Sequence, residues 1–392
     1  MEKNSSLKFV FAPDSFKGSL SAEKICSLLK NIAEKIFPDC ETISIPMSDG
    51  GEGAVSVVTS AMGGEIRTVP VKGPMGTIVN AQYGVFGINH AIIEMAAASG
   101  LLLVPTDERD ILRASTYGTG QLIRSALDDG YKNIYIAIGG SATNDGGIGC
   151  AAALGVRFLD AAGRELDPIP ANLEKIADID ITDLHAGIPC ANITVMCDVT
   201  NPLLGSEGAT YIFGPQKGAT KEQQKLLEKG LTNYAAVLER KFGVNVNEIP
   251  GSGAAGGLGA GLLVFLNGHL KRGIDTIMDI LSFKEKIYGA DLVITGEGKM
   301  DDQSAYGKVA SGVGMEAKKQ NIPCVAIVGG MGKDASDMYE YGVDSIITTI
   351  NAAIPIETAI EQAEELFINA AERMFRMIQV GMKMKNVKEV FL

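Results

Sequence analysis

Residues 8–36 read KFVFAPDSFKGSLSAEKICSLLKNIAEKI, and the rest of the architecture can be predicted outward from this unit. Lys8 to Ala12 is a short apolar run, which is typical of a buried parallel strand. Ser21 is a typical helix N-cap, with Glu23 in the first helical turn. Apolar side chains then recur at helical spacing, at Ile25, Leu28, Leu29, Ile32 and Ile36. The unit therefore predicts a strand, a glycine-containing loop and an amphipathic helix.

The same order of strand and helix recurs at both ends of the chain. Further strands are predicted at Glu41–Ile45, Asp291–Thr295, Pro323–Val328 and Val343–Ile350. A long amphipathic helix is predicted at the C-terminal end. Neither end alone covers both faces of a sheet, whereas together they give five parallel strands with helices on both faces.

The central part of the chain has a different pattern. A hairpin is predicted around the turn Gly73–Gly76, and buried strands are predicted at Asn133–Ile138 and Ile193–Cys197. The sequence thus predicts an α/β fold with a discontinuous Rossmann-like three-layer domain that contains a parallel sheet, formed by residues 1–70 and 286–392. Residues 71–285 are predicted to form an inserted mixed α/β domain. The active site is expected in the cleft between the two domains.

Composition narrows the class of protein. The chain has 392 residues, of which 46% are hydrophobic, so we expect two ordered domains and no long disordered segment. The formal net charge of −12 argues against a nucleic-acid partner. Six cysteines without CxxC spacing and three scattered histidines predict no zinc site and a reducing, cytoplasmic location. We expect no signal peptide and no membrane span. The sequence leaves the oligomeric state open, with a homodimer among the alternatives.

Five segments rich in glycine and acidic residues follow predicted strands, at residues 13–19, 46–53, 139–147, 198–202 and 296–301. Ligands of α/β sheets bind at the carboxyl ends of strands. Glycine lets backbone amides approach an anion closely, and carboxylates can hold Mg²⁺, orient a hydroxyl group or accept its proton. Together these parts predict phosphoryl transfer.

Familiar nucleotide motifs are incomplete in this chain. Residues 329–334, GGMGKD, resemble a Walker motif, but Asp334 stands where Ser or Thr is required. Residues 251–256, GSGAAG, match GxGxxG without a clear preceding strand. Three interpretations of this segment stay open: a dinucleotide site, a phosphate-binding loop that uses Gly253 and Gly256, or helix packing through small residues.

Seven motifs carry a resemblance to a known family. They are FAPDSFKGSLSA (11–22), PMSDGGEG (46–53), GGSATNDGGIG (139–149), CDVTNPL (197–203), GPQKGA (214–219), GSGAAGGLG (251–259) and ITGEGKMDDQS (294–304). In this order they resemble the glycerate kinase family of the type I, ATP-dependent kind. The resemblance implies phosphorylation of D-glycerate by ATP with Mg²⁺ in a two-domain α/β fold. It favours 2-phosphoglycerate over 3-phosphoglycerate as the product, although the residues themselves do not decide between them.

Three residues are predicted to be catalytic. Asp198 is expected to accept the hydroxyl proton or to contact the metal, although it could instead cap the turn at Asn201. Asp49 is expected to orient the substrate, although it could instead cap the following helix. Lys17 is expected to bind the substrate carboxylate, with a solvated loop lysine as the alternative.

The remaining site residues are predicted by type. Predicted substrate contacts are Asp14, Ser15, Gly50, Gly51 and Asp145. Predicted phosphate or nucleotide contacts are Gly139, Gly140, Ser141, Lys217, Gly253, Gly256, Gly296, Gly298 and Lys299. Glu297 and Asp301 are the predicted metal ligands. Two rival classes remain open from the sequence: a nicotinamide-dependent oxidoreductase of small hydroxy acids and a non-catalytic ligand-binding protein with a hinged cleft.

Overall fold

The computed structural model describes residues 6–301, 304 and 307–389, with side chains up to Met384. Asp302 and Gln303 of the last motif lie outside the described residues. The strands are β1 Lys8–Pro13, β2 Glu41–Ser44, β3 Glu65–Lys72, β4 Ile78–Phe86, β5 His90–Glu94, β6 Asn133–Ala137, β7 Arg157–Leu159, β8 Asp178–Asp180, β9 Asn192–Met196, β10 His269–Lys271, β11 Leu292–Met300, β12 Cys324–Met331 and β13 Ser345–Thr348. The α-helices are α1 Ala22–Ile36, α2 Ala54–Ala61, α3 Ala96–Ser99, α4 Tyr117–Asp128, α5 Ile148–Ala153, α6 Ala209–Phe213, α7 Lys221–Phe242, α8 Ala254–Leu266, α9 Gly273–Ile280, α10 Phe283–Ile287, α11 Val309–Lys319, α12 Ile356–Glu361 and α13 Ala363–Glu389.

The chain divides into two compact units. The first comprises Met1–Asp49 and Ile274–Leu392, and the second comprises Gly50–Gly273. The predicted boundary after residue 70 falls inside β3, which pairs along its whole length with β4 of the second unit. The predicted boundary before residue 286 falls inside α10. Residues 50–70 therefore belong to the second unit and residues 274–285 to the first.

The first unit contains a parallel sheet in the order β13-β12-β11-β1-β2. Counted along this unit alone, the strand order is 2-1-3-4-5, the flavodoxin-like variant of a doubly wound fold. Ser21 caps α1 by accepting a hydrogen bond from the Lys24 amide at 3.2 Å, as its position in the sequence predicts. The predicted five-stranded parallel sheet is confirmed.

Helices cover both faces of this sheet because each face presents large apolar side chains. On one face, Phe9, Phe11 and Ile294 are buried with Leu29 of α1 and Phe375 of α13. On the other face, α11 lies against β11 and β12, and residues from these elements share a smaller buried cluster. Each fully buried Phe or Leu contributes roughly 1.5–3 kcal/mol, so the three layers are held together mainly by apolar burial.

Two strands of the first sheet are longer than the sequence predicts. The pattern places the end of the strands near Thr295 and Val328, whereas β11 continues to Met300 and β12 to Met331. The glycines permit this extension, because a Cβ atom at Gly296 would lie 2.1 Å from the Ile327 carbonyl oxygen. Glycine here allows a close approach of neighbouring strands, and the predicted loop after Thr295 is in fact strand.

The second unit contains a mixed sheet in the order β10-β9-β6-β5-β4-β3. The predicted hairpin is present, with β3 and β4 antiparallel around residues 73–77. Four strands are parallel, and β6 pairs directly with β9. The segments that follow β6 and β9, which begin at Ile138 and Cys197, therefore start at the same edge of this sheet. Within the described residues, no helix combines the length and the apolar character that crossing a membrane requires.

Candidate active site

A cavity of about 520 Å³ lies in the first unit, beyond the carboxyl ends of its strands. It is lined by Asp14, Ser15, Phe16, Lys17, Ser19, Asp49, Glu297, Gly298, Lys299, Asp301, Lys308, Gly329, Gly330, Met331, Thr349, Ile350, Ile356, Ala359, Ile360 and Ala363. All of these residues belong to the first unit. The cavity reaches the point between β1 and β11 where the strand order reverses, which is the place at which doubly wound sheets bind ligands.

Asp14 and Glu297 stand at this reversal point. Burial, reinforced by the charge of Asp49, raises the pKa of Asp14 to about 6, although Ser15 donates its backbone amide to Asp14 Oδ1 at 2.6 Å. Burial, together with the charges of Asp14 and Asp301, raises the pKa of Glu297 to about 7, although Ser304 and Lys308 oppose the shift. Such pKa values lie in the range in which a carboxylate can exchange a proton near neutral pH.

One oxygen of Glu297 is left without a partner. The side chain is 6% exposed, and its Oε1 atom has no hydrogen-bond partner among the described residues. A buried carboxylate oxygen of this kind costs free energy unless a proton or a cation satisfies it. Glu297 therefore has the character of a ligand-binding carboxylate.

Several lysines border the same cavity. Lys17 lies close enough to Asp14 to oppose the rise in its pKa, and Lys308 does the same for Glu297. Lys299 forms an ion pair with Asp301 at 2.9 Å. Glycine backbone at Gly298, Gly329 and Gly330 completes this part of the wall. The structure thus brings Asp14, Ser15, Lys17, Asp49, Glu297, Gly298, Lys299 and Asp301 together around one cavity.

The carboxylates of this cavity are compatible with Mg²⁺. Across the described part of the chain, no group of three or more His, Cys, Asp or Glu side chains is arranged to hold a metal ion. Mg²⁺, however, usually takes only one or two protein carboxylates and completes its shell with water and substrate phosphates. The unpaired Oε1 atom of Glu297 offers an oxygen ligand of the required kind. The residues present therefore fit this ion.

Gly296 does not have the exposed backbone expected of a phosphate-binding residue. It is buried inside β11, where it pairs with Ile327, and its carbonyl accepts the Asp14 amide at 2.9 Å. Its backbone is occupied by the sheet. The predicted phosphate contact at Gly296 is therefore replaced by a structural role.

The second unit holds the other predicted residues. Gly139 and Gly140 follow β6 with exposed backbone, and Gly140 has a φ of +75°. Asp198 is exposed, and its Oδ1 atom accepts the Gly273 amide at 2.9 Å. Gly50 is buried with a φ of +83°, and a Cβ atom there would lie 2.7 Å from the Gly273 Cα atom.

Asp145 is a structural carboxylate. It is fully buried and accepts hydrogen bonds from the Thr116 amide and hydroxyl, each at 2.8 Å, and from the Gly147 and Gly149 amides at 3.0 and 3.2 Å. These bonds hold the start of α5. The predicted direct contact between Asp145 and substrate does not fit this burial, because its oxygens already bind the protein.

Lys217 is also buried. Its Nζ atom donates to the Ser141 hydroxyl at 2.7 Å and to the Thr143 carbonyl at 2.6 Å. Burial lowers the pKa of Lys217 to about 7, while the charge of Asp145 opposes this shift. This internal bond holds the glycine segment 139–147, and the contact of Lys217 and Ser141 with phosphate stays a prediction.

Gly253 and Gly256 serve packing. A Cβ atom at Gly253 would lie 2.0 Å from the Pro202 carbonyl oxygen, and one at Gly256 would lie 2.1 Å from the Thr143 carbonyl oxygen. Both residues are buried. Of the three interpretations of this segment, the structure favours packing through small residues, and the predicted phosphate contacts at Gly253 and Gly256 are not supported.

Sequence reasoning missed part of the cavity wall. Lys308 lies after the last of the seven motifs, so no pattern drew attention to it. Met331, Ile350, Ile356 and Ile360 read as ordinary core residues in a strand and in an amphipathic helix. Ile356 and Ile360 carried a signal that could have marked an apolar binding surface. They lie four residues apart on a six-residue helix whose other side chains are polar or small.

The doubly wound unit and its acidic, glycine-lined cavity define a class, an α/β phosphotransferase. Residues 9–379 match the glycerate kinase family. The chain is 42% identical over 387 residues to the glycerate kinase of Bacillus subtilis (strain 168), which covers 98% of this chain and 100% of that protein. It is 43% identical over 378 residues to the glycerate 2-kinase of Escherichia coli (strain K12), covering 96% and 99% of the two chains.

A solved structure agrees with these relatives. It is the crystal structure of a protein from Salmonella typhimurium LT2 that was provisionally named glycerate kinase 2. The two chains are 43% identical and superpose with a TM-score of 0.89, and the match covers 97% of this chain and 100% of that one. The chain therefore belongs to the glycerate kinase family. The predicted α/β fold and the predicted ATP-dependent kinase class are confirmed, and the oxidoreductase alternative is not favoured.

Proposed function

We propose that this protein transfers the γ-phosphoryl group of ATP to the 2-hydroxyl of D-glycerate and releases 2-phosphoglycerate and ADP. The similarity to a glycerate 2-kinase supports this position of transfer over the 3-hydroxyl. The observation that carries the proposal is the pair of perturbed carboxylates, Asp14 and Glu297, at the reversal point of a sheet whose edge is lined by glycine backbone and lysine.

Asp14 is our choice for the group that accepts the hydroxyl proton. Its pKa of about 6 makes it more basic than an ordinary aspartate, while it stays largely ionised at neutral pH. Asp49 lines the same cavity and is proposed to orient the substrate. The alternative that Asp49 caps α2 loses support, because Gly53 is the N-cap of that helix and the Val55 amide in its first turn donates to Glu94 Oε1 at 2.8 Å. Lys17 is proposed to bind the substrate carboxylate.

Glu297 is proposed to hold Mg²⁺, with Asp301 as a second ligand when its bond to Lys299 opens. When bound, the ion would neutralise charge on the β- and γ-phosphates. A cation beside Glu297 would also lower its pKa, so the buried carboxylate would ionise without being left unpaired. As a separate proposal, Asp198 of the second unit contacts the metal or accepts the hydroxyl proton, as the sequence predicts.

The setting of the activity also rests on prediction. The cytoplasmic location follows from the six cysteines, all of which are free thiols in the structure. The formal net charge of −12 argues against nucleic-acid partners, because it would repel the phosphate backbone. A homodimer stays among the alternatives for the oligomeric state.

The test is a product assay by nuclear magnetic resonance. The protein is incubated with ATP, Mg²⁺ and D-glycerate, and the carbon that carries phosphorus is identified from its coupling. We expect 2-phosphoglycerate, and L-glycerate serves as the control substrate. Accumulation of 3-phosphoglycerate would overturn the position of transfer, and the absence of any phosphorylated product would overturn the proposal.

A further inference from the structure

The cavity of the first unit has two chemically different ends. Asp49 and Asp14 follow β2 and β1, and Glu297 lies in the last part of β11. These three strands lie on one side of the sheet order. Beyond β12 and β13, on the other side, the wall is apolar. Neighbouring strands lie about 4.8 Å apart, so the four intervals from β2 to β13 span roughly 19 Å. A three-carbon acid would fill only a small part of this length.

The apolar end exposes large side chains. Met331, Ile356 and Ile360 are 47%, 62% and 47% exposed, although all three line the cavity. Ile356 and Ile360 lie one turn apart on α12 and share a face. Ile350, Ala359 and Ala363 complete this part of the wall. Apolar surface that faces a cavity gains free energy when a ligand removes it from water.

Backbone and cationic groups connect the two ends. Gly298, Gly329 and Gly330 lie along β11 and β12, and Lys17, Lys299 and Lys308 border them. Gly330 leaves an open surface: apart from its chain neighbours, no described heavy atom lies within 4 Å of the position that its Cβ atom would take. A flat ring could therefore lie against this backbone.

We propose that the apolar end is the seat of the adenine ring of ATP, formed by Met331 at the end of β12, by Ile350 just after β13 and by Ile356 and Ile360 of α12. The triphosphate then runs along the backbone of Gly298 and Gly329 past the lysines, whereas Gly330 faces the ring, and the γ-phosphoryl group reaches Asp14 and Glu297. The ligand is an adenine nucleotide because only a ligand with an apolar ring at one end and phosphates at the other matches both ends of the cavity. This inference rests on the proposed kinase function.

The direct test is the affinity for ADP, measured by isothermal titration with the full chain. Ile360→Gln removes apolar surface, whereas Gly330→Val adds a side chain to the open wall without backbone strain, since the φ of Gly330 is not positive. We expect each change to weaken ADP binding by about tenfold or more. Binding of inorganic tripolyphosphate, which has no ring, should change by less than about twofold. In turnover assays the KM for ATP should rise while the KM for glycerate stays the same.

Two matched controls lie outside the cavity. Met377→Gln changes an exposed apolar residue of α13, and Gly381→Ala adds a Cβ atom in open space on the same helix. Both should leave ADP affinity unchanged. Melting curves verify that each variant is folded; because the two test variants alter the seat in opposite ways, a folding defect in one leaves the other decisive.

The outcomes separate this inference from the proposed function. Formation of phosphoglycerate together with unchanged ADP affinity in both folded test variants would overturn the adenine seat alone. Equal losses of ADP and tripolyphosphate binding would also overturn it, because the loss would then not concern the ring. Selective loss of ADP binding in a protein that forms no phosphoglycerate would support the seat and overturn the proposed function.

Discussion

Asp14 and Glu297 follow register partners on neighbouring parallel strands, since Pro13 of β1 pairs with Gly296 of β11. The two residues therefore lie at the same level along the strands, Asp14 directly after β1 and Glu297 within β11, and the charge of Asp14 helps to raise the pKa of Glu297. Desolvation is the larger cause for both residues. Two desolvated acids near the carboxyl ends of neighbouring strands make the stability of the protein, as well as its activity, depend on pH.

The first prediction concerns this dependence. The folded-state pKa values of about 6 for Asp14 and about 7 for Glu297 lie above the ordinary values of 3.8 and 4.5. Between these limits the folded protein binds more protons than the unfolded chain, so the free energy of unfolding should fall as pH rises from about 4 to about 7. For Glu297 the loss is at most on the order of 3 kcal/mol.

Glu297→Gln should remove its share of this slope. Without Mg²⁺, the variant should be more stable than the wild type at pH 8 and equally stable near pH 4, as measured by denaturant unfolding at each pH. Glu108→Gln, on the exposed surface, is the control and should follow the wild type. Parallel curves for Glu297→Gln and the wild type would show that the carboxylate is not desolvated.

The second prediction concerns Asp14 as the proton acceptor. Asp14→Asn keeps the size of the side chain but loses its basicity, so kcat should fall by roughly 10²–10⁴-fold, the usual contribution of such a group. The KM for ATP should change little if Asp14 acts on the hydroxyl group. Steady-state kinetics measure both quantities, and Asp107→Asn, an exposed aspartate, is the matched control. A kcat within about threefold of the wild type would remove Asp14 from this role.

The first unit was largely predictable from the sequence because its elements repeat one local pattern. The apolar run at Lys8–Ala12, the cap at Ser21 and the helical stripe from Ile25 to Ile36 each act over a few residues, and all three appear in the structure. The length of β11 was not predictable. In the sequence, Gly296 is typical of a loop. Only the structure shows that the Ile327 carbonyl oxygen lies too close for a Cβ atom, so that glycine is needed inside this strand.

The candidate site was predictable by residue type more than by role. Eight of the predicted residues line one cavity, because acids and glycines after parallel strands meet at one edge. Other predicted residues differ from this group by their burial. Asp145 and Lys217 have the residue types of a site but are buried inside the second unit. Nothing in the local sequence GPQKGA, residues 214–219, shows whether its lysine is buried or exposed.

The third prediction concerns Asp198. Asp198→Asn should lower kcat by roughly two orders of magnitude if its charge holds the metal or orients the substrate. The free energy of unfolding should change by less than about 1 kcal/mol, since the amide oxygen can still accept the Gly273 hydrogen bond. Kinetics and melting are measured on the same preparation. A folded variant with at least half of the wild-type kcat would exclude Asp198 from the mechanism.

The fourth prediction concerns Mg²⁺. Activity with ATP should disappear in excess EDTA and return on addition of Mg²⁺ or Mn²⁺, because phosphoryl transfer needs the phosphate charge to be neutralised. Titration of the ATP-free protein with Mg²⁺ should raise its melting temperature at pH 8, and Glu297→Gln should abolish this rise. Full turnover in excess EDTA would contradict the role of the metal, and an unchanged rise in the variant would place the ion on other residues.

The last prediction concerns Lys217 as an internal support. Its ammonium group joins the segment 214–219 to the glycine segment 139–147 through Ser141 and Thr143. Lys217→Met fills a similar volume but leaves both oxygens without this donor, which should cost about 2 kcal/mol of unfolding free energy. Lys221→Met, at the exposed start of α7, should cost little. If Lys217 bound phosphate instead, as the sequence suggested, the variant would keep its stability while its affinity for tripolyphosphate fell. Denaturant unfolding and tripolyphosphate titration of the two variants therefore decide between an internal support and a phosphate ligand.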